Sequence, residues 1–270
     1  MNIAIVNDDG VHASGVNVLA RALSQNNRVT VIAPNRERSA ASHSITLDRP
    51  LTVREVLHSD MKHVRFYAVN GTPVDCVHIA LSIVSPLDLL VSGINNGANL
   101  GGDISYSGTV HAAMEACSYG LPAVALSMRV PPGEQRLDDM LRFDVAAQLS
   151  AQILTSISVR SLAGVVYNIN FPTEVESCPA SIKVCPQGVS VYRSIFQKQM
   201  DPFGREVFWL CAEDSTDSYN ETHKTDVYWS NLGFVTCTPL TWNSTSSHAM
   251  PVAEREFAQF RLRAAEERME

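Results

Sequence analysis

Two adjacent carboxylates near the start of the chain are the first residues whose type and spacing could do chemistry. Asp8 and Asp9 come directly after a short apolar run, residues 2–6, and its following Asn7. Carboxylates are hard oxygen ligands of the kind that Mg²⁺ and Mn²⁺ prefer. An Asp-Asp pair also occurs in simple turns, where one carboxylate caps the next helix. Two like charges at a buried sheet edge are costly unless a cation neutralises them or one takes up a proton. The pair is therefore a candidate metal site.

Amide and hydroxyl side chains in a later loop could complete such a site. Asn95 and Asn96 follow another apolar run, and Asn99 lies in the next turn of the loop. Amide oxygens are neutral hard ligands, and amide nitrogens donate to phosphate oxygens. Ser107-Gly108-Thr109 then opens a helical pattern, and the free N–H groups and dipole of a helix N-terminus favour an anion. Turn formation and simple capping are the alternative explanations.

A third polar loop, residues 34–46, combines two arginines with hydroxyl and imidazole groups. One of its hydroxyl groups could supply a ligand, and the arginines could form a rim that receives an anion. Solvated loop residues are the simpler interpretation of any one of them. Among the histidines, His12 and His43 lie in candidate site loops, whereas His111 follows the helix start closely enough to belong either to the site or to the core.

The elements that position these loops alternate along the first two thirds of the chain. Apolar runs predict buried strands, and apolar residues three and four apart predict the helices between them. The predicted strands are 2–6, 28–33, 87–91, 123–127 and 165–170, and the predicted helices include 16–23, 73–81, 110–117 and 138–157. This order is typical of an α/β fold, a Rossmann-like, doubly wound and mostly parallel sheet. Ligands bind beyond the carboxyl ends of such strands, so we expect the loops 7–15, 34–46, 92–108 and 127–137 to meet at one cleft.

The last third of the chain has a different pattern. Two extended segments are separated by the turn signal Asp201-Pro202-Phe203-Gly204, which predicts a β-hairpin excursion. The hairpin is followed by a return strand at 234–240. A charged terminal helix then begins at Pro251 and carries Phe257 and Phe260. We therefore predict a core over 1–188, and over 189–270 a hairpin extension, a return strand and a C-terminal helix that either caps its own subunit or packs on a partner.

Composition bounds the class of function. The 270 residues are 45% hydrophobic and 18% charged, as in ordinary globular proteins. A net charge of -7 without Lys/Arg runs disfavours binding to a nucleic-acid duplex. No apolar stretch approaches a membrane span, which predicts no membrane partner. The six cysteines show no Cys-x-x-Cys pattern, and no signal-peptide pattern opens the chain, so we expect a cytoplasmic protein.

Five ordered blocks resemble the SurE family of nucleotidases, and the resemblance extends over essentially the whole chain. The blocks are Asn7-Asp8-Asp9-Gly10-Val11-His12-Ala13, Ala33-Pro34 with Arg38-Ser39, Gly71-Thr72-Pro73-Val74-Asp75-Cys76, Val91-Ser92-Gly93-Ile94-Asn95, and Tyr106-Ser107-Gly108-Thr109-Val110 with Ala112-Ala113-Met114-Glu115. The resemblance implies a 5′-nucleotidase, a phosphoric monoester hydrolase that acts on nucleoside 5′- and 3′-monophosphates and in some relatives on short polyphosphate. It also implies a homodimer or homotetramer with exchanged hairpin and C-terminal segments.

The resemblance further assigns roles to individual residues. It implies one divalent ion per subunit, Mg²⁺ or Mn²⁺, held by Asp8, Asp9, Ser39 and Asn95. Phosphate contacts are implied for Asn99, Ser107, Gly108 and Thr109, and catalytic roles for Asp8, Asp9, Asn99 and Ser107. His43, Ala98 and Gly102 depart from residues common in the family; they lie in loops expected to rim the site, so they bear on substrate preference.

Two other classes of protein place an acid or a phosphate loop after the first strand. A haloacid-dehalogenase-type phosphatase needs Asp-x-Asp, whereas here the acids are adjacent and residue 10 is Gly. A non-catalytic nucleotide- or metal-binding module would be expected to carry Gly-x-Gly-x-x-Gly at this place, and the chain does not. Within the phosphatase hypothesis, Asp8 or Asp9 acts either as a base towards water or as the attacking group itself.

Overall fold

A computed structural model describes residues 1–130, 139–178, 181–189, 192–214 and 218–258, and a nine-stranded sheet lies at its centre. The strands in chain order are β1 (Asn2–Val6), β2 (Arg28–Pro34), β3 (Val53–Val56), β4 (Arg65–Val69), β5 (Leu89–Asn96), β6 (Ala123–Met128), β7 (Val165–Phe171), β8 (Lys183–Val184), β9 (Tyr192–Met200), β10 (Glu206–Asp214) and β11 (Thr236–Thr241). The helices are α1 (Ser14–Leu23), α2 (Pro73–Ile83), α3 (Gly108–Ser118), α4 (Asp139–Ser156), α5 (Ser218–His223), α6 (Asp226–Asn231) and α7 (Met250–Phe257).

The strand order creates a crevice at the middle of the sheet. The order is β3-β4-β2-β1-β5-β6-β7-β11-β8, and the six strands from β4 to β7 in this order run parallel. After β1 the chain builds the sheet to one side through β2 and β4, and from β5 onwards it builds to the other. Loops leave the sheet in opposite directions at such a switch point, and the gap between them is the usual ligand site. The predicted doubly wound α/β fold is confirmed.

Helices cover both faces of the sheet, which explains why its central strands are largely apolar. Along β1, Ile3 and Ile5 pack in one buried layer with α1 and α4, while Ala4 and Val6 pack in the other with α2 and α3. Successive side chains of a strand point to opposite faces. A strand covered on both faces therefore needs an uninterrupted apolar run rather than alternation.

Two features of the core differ from the sequence prediction. The strands β3 and β4 extend the sheet beyond β2 but were not predicted, because β3 is exposed or half-buried throughout and neither strand is a continuous apolar run. β5 runs on to Asn96, five residues beyond the predicted end of 87–91. Asn95 and Asn96 therefore lie on the end of a strand that is hydrogen-bonded to β6, which holds them more firmly than a free loop would.

The C-terminal third contains the predicted hairpin and return strand. β9 and β10 pair only with each other in an antiparallel sheet, and β11 pairs antiparallel with β7 in the main sheet. Of the predicted terminal helix, α7 is seen, while Phe260 lies outside the described residues. The division into core and oligomerisation segments stays a prediction. Across the described ranges, no helix combines the length and the apolar character that a membrane crossing requires.

Candidate active site

The Asp8 carboxylate lies against the N-terminus of α3. Oδ1 accepts a hydrogen bond from the Thr109 hydroxyl at 2.5 Å, and Oδ2 accepts one from the Thr109 backbone N–H at 3.2 Å. Gly108 permits this approach, since a Cβ there would come within 3.0 Å of Asp8 Oδ2 and of Pro73 Cγ. The positive end of the helix dipole thus faces a carboxylate that is only 4% exposed.

Asp9 faces the neighbouring strand end, where its Oδ2 accepts a hydrogen bond from the Asn96 backbone N–H at 3.0 Å. Burial raises the pKa of the Asp8 carboxyl above its ordinary value. Burial, with a further contribution from the Asp8 charge, raises the pKa of Asp9 to about 7. Among the described residues neither carboxylate forms an ion pair with a basic side chain. The pair is a concentration of buried negative charge that a cation would relieve.

The loop after β2 reaches the same place. The Arg38 backbone N–H donates to the Asp8 carbonyl at 2.7 Å, which ties the backbone next to Ser39 to the backbone of Asp8. The Ser39 hydroxyl donates to Glu37 Oε1 at 2.6 Å, and its oxygen keeps a lone pair for a ligand. Glu37 was not among the predicted site residues, yet its charge adds to the upward pKa shift of both Asp8 and Asp9. Its position in the polar loop 34–46 was the signal for it.

Asn95 is the fourth of the predicted metal ligands. Its amide nitrogen donates to the Gly97 carbonyl at 2.8 Å, which assigns the amide orientation and leaves Oδ1 as an available acceptor. Within the described part of the chain, no group of three or more His, Cys, Asp or Glu side chains is placed to hold a metal ion. A metal at this edge would therefore depend on two carboxylates combined with neutral hydroxyl and amide oxygens, a donor set that fits a hard divalent ion.

Asn99 is buried and is held in place by three polar side chains from β6 and β7. Its backbone N–H donates to Asn170 Oδ1 at 2.8 Å, and its carbonyl accepts from Asn168 at 2.9 Å and from Asn170 at 3.1 Å. Its side-chain nitrogen donates to Ser127 Oγ at 2.7 Å. One of the two amide N–H groups that could contact phosphate is thus engaged within the protein, so the predicted phosphate contact depends on the other.

Ser107 is the N-cap of α3, and its hydroxyl accepts a hydrogen bond from the Val110 N–H at 3.0 Å. Its carbonyl contacts His111 Nδ1 at 2.8 Å, so His111 packs behind the helix start. The structure brings Ser107, Gly108 and Thr109 to the same edge as the carboxylates. Because the Thr109 N–H is bonded to Asp8, the predicted phosphate contact of this segment depends chiefly on Ser107 and Gly108.

The remainder of the loop 34–46 contacts the outer surface of α2 and α3. His43 Nε2 lies 2.7 Å from Glu115 Oε2, and His78 Nε2 lies 3.0 Å from Glu115 Oε1. The Ser42 hydroxyl donates to the Ser105 carbonyl at 2.6 Å. His43 therefore anchors the loop that carries Ser39, and it does so through a helix side chain.

A buried aspartate outside the predicted site anchors the loop between Asn99 and Ser107 near its Asn99 end. Asp226, at the start of α6, is fully buried and accepts hydrogen bonds from the Gly101 N–H at 3.0 Å and the Gly188 N–H at 2.7 Å. Burial raises the pKa of its carboxyl. In the sequence, a helix-capping Thr225 followed by an acid gives no sign of such distant partners.

Comparisons with known proteins identify the family of the chain. A family model described as "Survival protein SurE" matches residues 3–194. A relative in Clostridium botulinum, named 5′-nucleotidase SurE, is 36% identical over 260 residues, which cover 95% of this chain and 99% of that one. A relative of the same name in Histophilus somni is 38% identical over 258 residues, covering 94% and 98%. The crystal structure of a SurE protein from Aquifex aeolicus superimposes with a TM-score of 0.76 at 34% identity, covering 95% of this chain and 99% of that one.

Proposed function

This chain belongs to the SurE family and is a 5′-nucleotidase, and we propose that it hydrolyses nucleoside 5′-monophosphates, and also 3′-monophosphates and short polyphosphate, with one divalent metal ion per subunit. The observation that carries the proposal is the pair formed by the buried Asp8 and the half-buried Asp9, which has no basic partner among the described residues and lies beside a helix N-terminus. The family assignment sets aside both the haloacid-dehalogenase and the non-catalytic alternatives.

We propose that Asp8, Asp9, Ser39 and Asn95 hold the ion. Two carboxylates and two neutral oxygens satisfy a hard ion such as Mg²⁺ or Mn²⁺, whose remaining positions are then available to water and substrate. When bound, such an ion supplies Lewis-acid polarisation of a phosphoryl oxygen. The raised pKa values of the two carboxyls and the added charge of Glu37 support this assignment, since they show negative charge without compensation from the protein.

The substrate phosphate would lie at the start of α3. There Ser107 would offer its hydroxyl and Gly108 its backbone N–H, at the first turn of the helix. The free amide N–H of Asn99 would donate to a second oxygen. Donors held in place before reaction stabilise the charge of a phosphoryl transition state without reorganisation, and positioning of this kind carries most of the catalysis in phosphoryl transfer.

The attacking group is either a water activated by Asp8 or Asp9, or one of these carboxylates itself. A single turnover in ¹⁸O-labelled water distinguishes the two. Label found only in the released phosphate supports attack by water, whereas label in an enzyme carboxylate shows that the carboxylate attacked and was later hydrolysed.

Phosphate release tests the activity and its metal dependence together. We expect the full chain to release phosphate from AMP with Mg²⁺ or Mn²⁺ and to stop in EDTA, and Asp8→Asn to reduce turnover by about a thousandfold or more. Asp88→Asn is the matched control, because that carboxylate also accepts a backbone N–H, from Asn2, at the opposite edge of the sheet. Full metal-dependent turnover by Asp8→Asn would contradict the assignment. Parallel assays with 3′-AMP and short polyphosphate decide the breadth of the substrate range.

We also propose that the chain forms a homodimer or homotetramer through its hairpin. Large apolar side chains on β9, β10 and their turn are mostly exposed, among them Phe196, Phe203, Phe208 and Trp209 at 60 to 83%. Exposed apolar area of this density is typical of a protein interface. Light scattering of the full chain should give a mass of two or four subunits, and a monomer mass at micromolar concentration would contradict the proposal.

A further inference from the structure

A cavity of about 260 Å³ opens at the edge of the sheet opposite the candidate active site, where β1, β2 and β4 begin. We call it the amino-edge cavity and define it by six polar or aromatic lining residues: Asn2, Arg28, Thr30, His63, Arg65 and Tyr67. It plays no part in the chemistry described above, because the carboxylates and the helix start lie at the carboxyl ends of the same strands.

The alternation of strand side chains explains why polar groups converge there. Ala4, Ile32 and Val69 point into the buried layer beneath α2 and α3. The residues two positions before each along their strands point to the same face, and these are Asn2, Thr30 and Tyr67. Arg28 and Arg65 continue the same rows to the ends of β2 and β4. α2 stops at Ile83, so the strand starts are left partly uncovered, and Ile83 and Val84 form an apolar wall.

The two arginines carry positive charge that no acidic side chain neutralises within the described ranges. Neither Arg28 nor Arg65 forms an ion pair there, whereas Arg21, Lys198 and Arg205 each pair with a carboxylate. The chain as a whole has 28 acidic and 21 basic residues. Two neighbouring arginines without acidic partners therefore differ from the predominantly acidic charge of the whole chain. Such a concave group of like charges concentrates anions.

The polar contacts already made inside the cavity leave most donors available. Arg65 donates one hydrogen bond to the Tyr67 hydroxyl, and its guanidinium lies over the Tyr67 ring at 5.3 Å. His63 Nε2 contacts Ser24 Oγ at 3.0 Å. A carboxylate meets a lining residue once among the described hydrogen bonds, where Asp88 Oδ2 accepts from the Asn2 N–H at 2.7 Å. The carbonyls at the end of α2 also face this edge, without a basic residue in its last turn.

We propose that the amino-edge cavity binds a phosphate-bearing small molecule through Arg28 and Arg65. The planar guanidinium groups match the paired oxygens of a phosphate. The Tyr67 ring and the wall at Ile83 and Val84 offer apolar surface to an organic body, and the volume is near the lower end of small-molecule sites. The phosphate comes from one of two sources, orthophosphate itself or a nucleoside monophosphate.

Equilibrium dialysis of the full chain in EDTA tests the proposal, since removing divalent metal suppresses metal-dependent binding at the other edge. The probes are radiolabelled orthophosphate, AMP and, as a ligand without phosphate, adenosine. We expect orthophosphate, AMP or both to bind, with the affinity falling about tenfold for each of Arg28→Gln and Arg65→Gln. Binding of orthophosphate identifies the free anion as sufficient, and binding of AMP alone identifies the nucleotide.

The matched control is Arg54→Gln, which removes the same charge from β3. Arg54 pairs with Ala68 and so faces the α1 and α4 side of the sheet, away from the cavity. It should bind the probes as the unmodified chain does. Unchanged affinity in both cavity variants, equal binding of adenosine, or no binding of either phosphate probe at about 10 mM would overturn the proposal.

Each single variant is checked for folding by its thermal unfolding transition and by AMP turnover with Mn²⁺. Both arginines are exposed and lie far from the candidate active site, so turnover should be retained. This readout also separates the two proposals. A protein that binds phosphate in EDTA but releases none from AMP would contradict the proposed metal-dependent activity and leave the amino-edge cavity supported.

Discussion

Asp8 and Thr109, separated by 101 residues in the chain, are joined by two hydrogen bonds: the Thr109 hydroxyl donates to Oδ1 at 2.5 Å and its backbone N–H to Oδ2 at 3.2 Å. The two bonds fix both the direction and the plane of the carboxylate. They connect a proposed metal ligand directly to the helix start that is proposed to receive the phosphate. A change in the position of the metal ligand therefore also affects the helix start, and a change at the helix start affects the metal ligand.

Removing the Thr109 hydroxyl should weaken metal binding without unfolding the protein. Thr109→Val keeps the shape of the side chain but deletes the bond to Asp8 Oδ1, and partners that orient a metal ligand typically contribute 10- to 100-fold to metal affinity or activity. We therefore expect the Mn²⁺ concentration needed for half-maximal turnover to rise by about 10- to 100-fold. Thr109→Ser, which retains the hydroxyl, should avoid most of this rise. Equal rises in the two variants would contradict a role for this hydrogen bond.

Neutralising Asp9 should stabilise the metal-free protein while abolishing turnover. The pKa of Asp9 is raised from 3.8 to about 7, mainly by burial and then by the charge of Asp8. In the folded state the carboxyl therefore keeps its proton to higher pH than in the unfolded chain. Its contribution to stability is complete below pH 3.8 and is lost as the pH rises through about 7.

Asp9→Asn cannot ionise, so in EDTA above pH 7 it should unfold at a higher temperature than the unmodified chain. Metal binds the ionised carboxylates and competes with protons. Mn²⁺ should therefore raise the unfolding temperature of the unmodified chain more at pH 8 than at pH 5, and should leave Asp9→Asn nearly unchanged. Calorimetry at the two pH values measures both effects. A variant less stable than the unmodified chain at pH 8 in EDTA would show that the charge pair is not a source of strain.

A methyl group at Gly108 should impair catalysis more than stability. The new Cβ of Gly108→Ala would lie 3.0 Å from Asp8 Oδ2 and from Pro73 Cγ, so the carboxylate must move by a few tenths of an ångström. Alanine favours the helix by about 1 kcal/mol relative to glycine, which offsets part of the crowding. We expect kcat/KM for AMP to fall by about 10- to 100-fold with a small change in Tm. Ser118→Ala, in the last turn of the same helix, is the control and should retain activity.

The buried Asp226 should control the position of the loop between Asn99 and Ser107. In Asp226→Asn an amide N–H replaces one of the two acceptors for the Gly101 and Gly188 N–H groups, so one buried donor loses its partner, at a cost of about 1–3 kcal/mol. We expect a lower Tm and a lower kcat for AMP, with metal affinity maintained because the metal ligands are on other elements. Asp88→Asn alters a half-buried carboxylate that accepts from the Asn2 N–H at the opposite edge of the sheet, and it should change neither Tm nor kcat. Loss of metal affinity in parallel with kcat would show a general loss of structure instead.

Much of this protein follows from its local sequence. Apolar runs such as the one within residues 2–6 predicted the central strands, because a strand covered on both faces is mostly apolar. Thr72-Pro73 predicted the start of α2, and the capping box is formed with Thr72 Oγ1 accepting from the Asp75 N–H at 3.1 Å. The parallel order of those strands then placed the polar loops at one edge. These features depend on neighbours within a few residues or on a simple rule of topology.

Only the tertiary structure decided which atoms meet at that edge. These contacts join segments that lie far apart in the chain or carry no periodic signal. They are the bonds from Thr109 to Asp8, the charge of Glu37 near both aspartates, the hydrogen bond from the Asn99 amide to Ser127 and the bond from the Gly101 N–H to Asp226. The convergence of Arg28 and Arg65 likewise depends on β4, a strand whose mixed pattern did not predict it. Hydrogen-bond partners and local electrostatic potentials depend on the distances between packed helices, strands and loops. A linear pattern of residue types does not specify those distances.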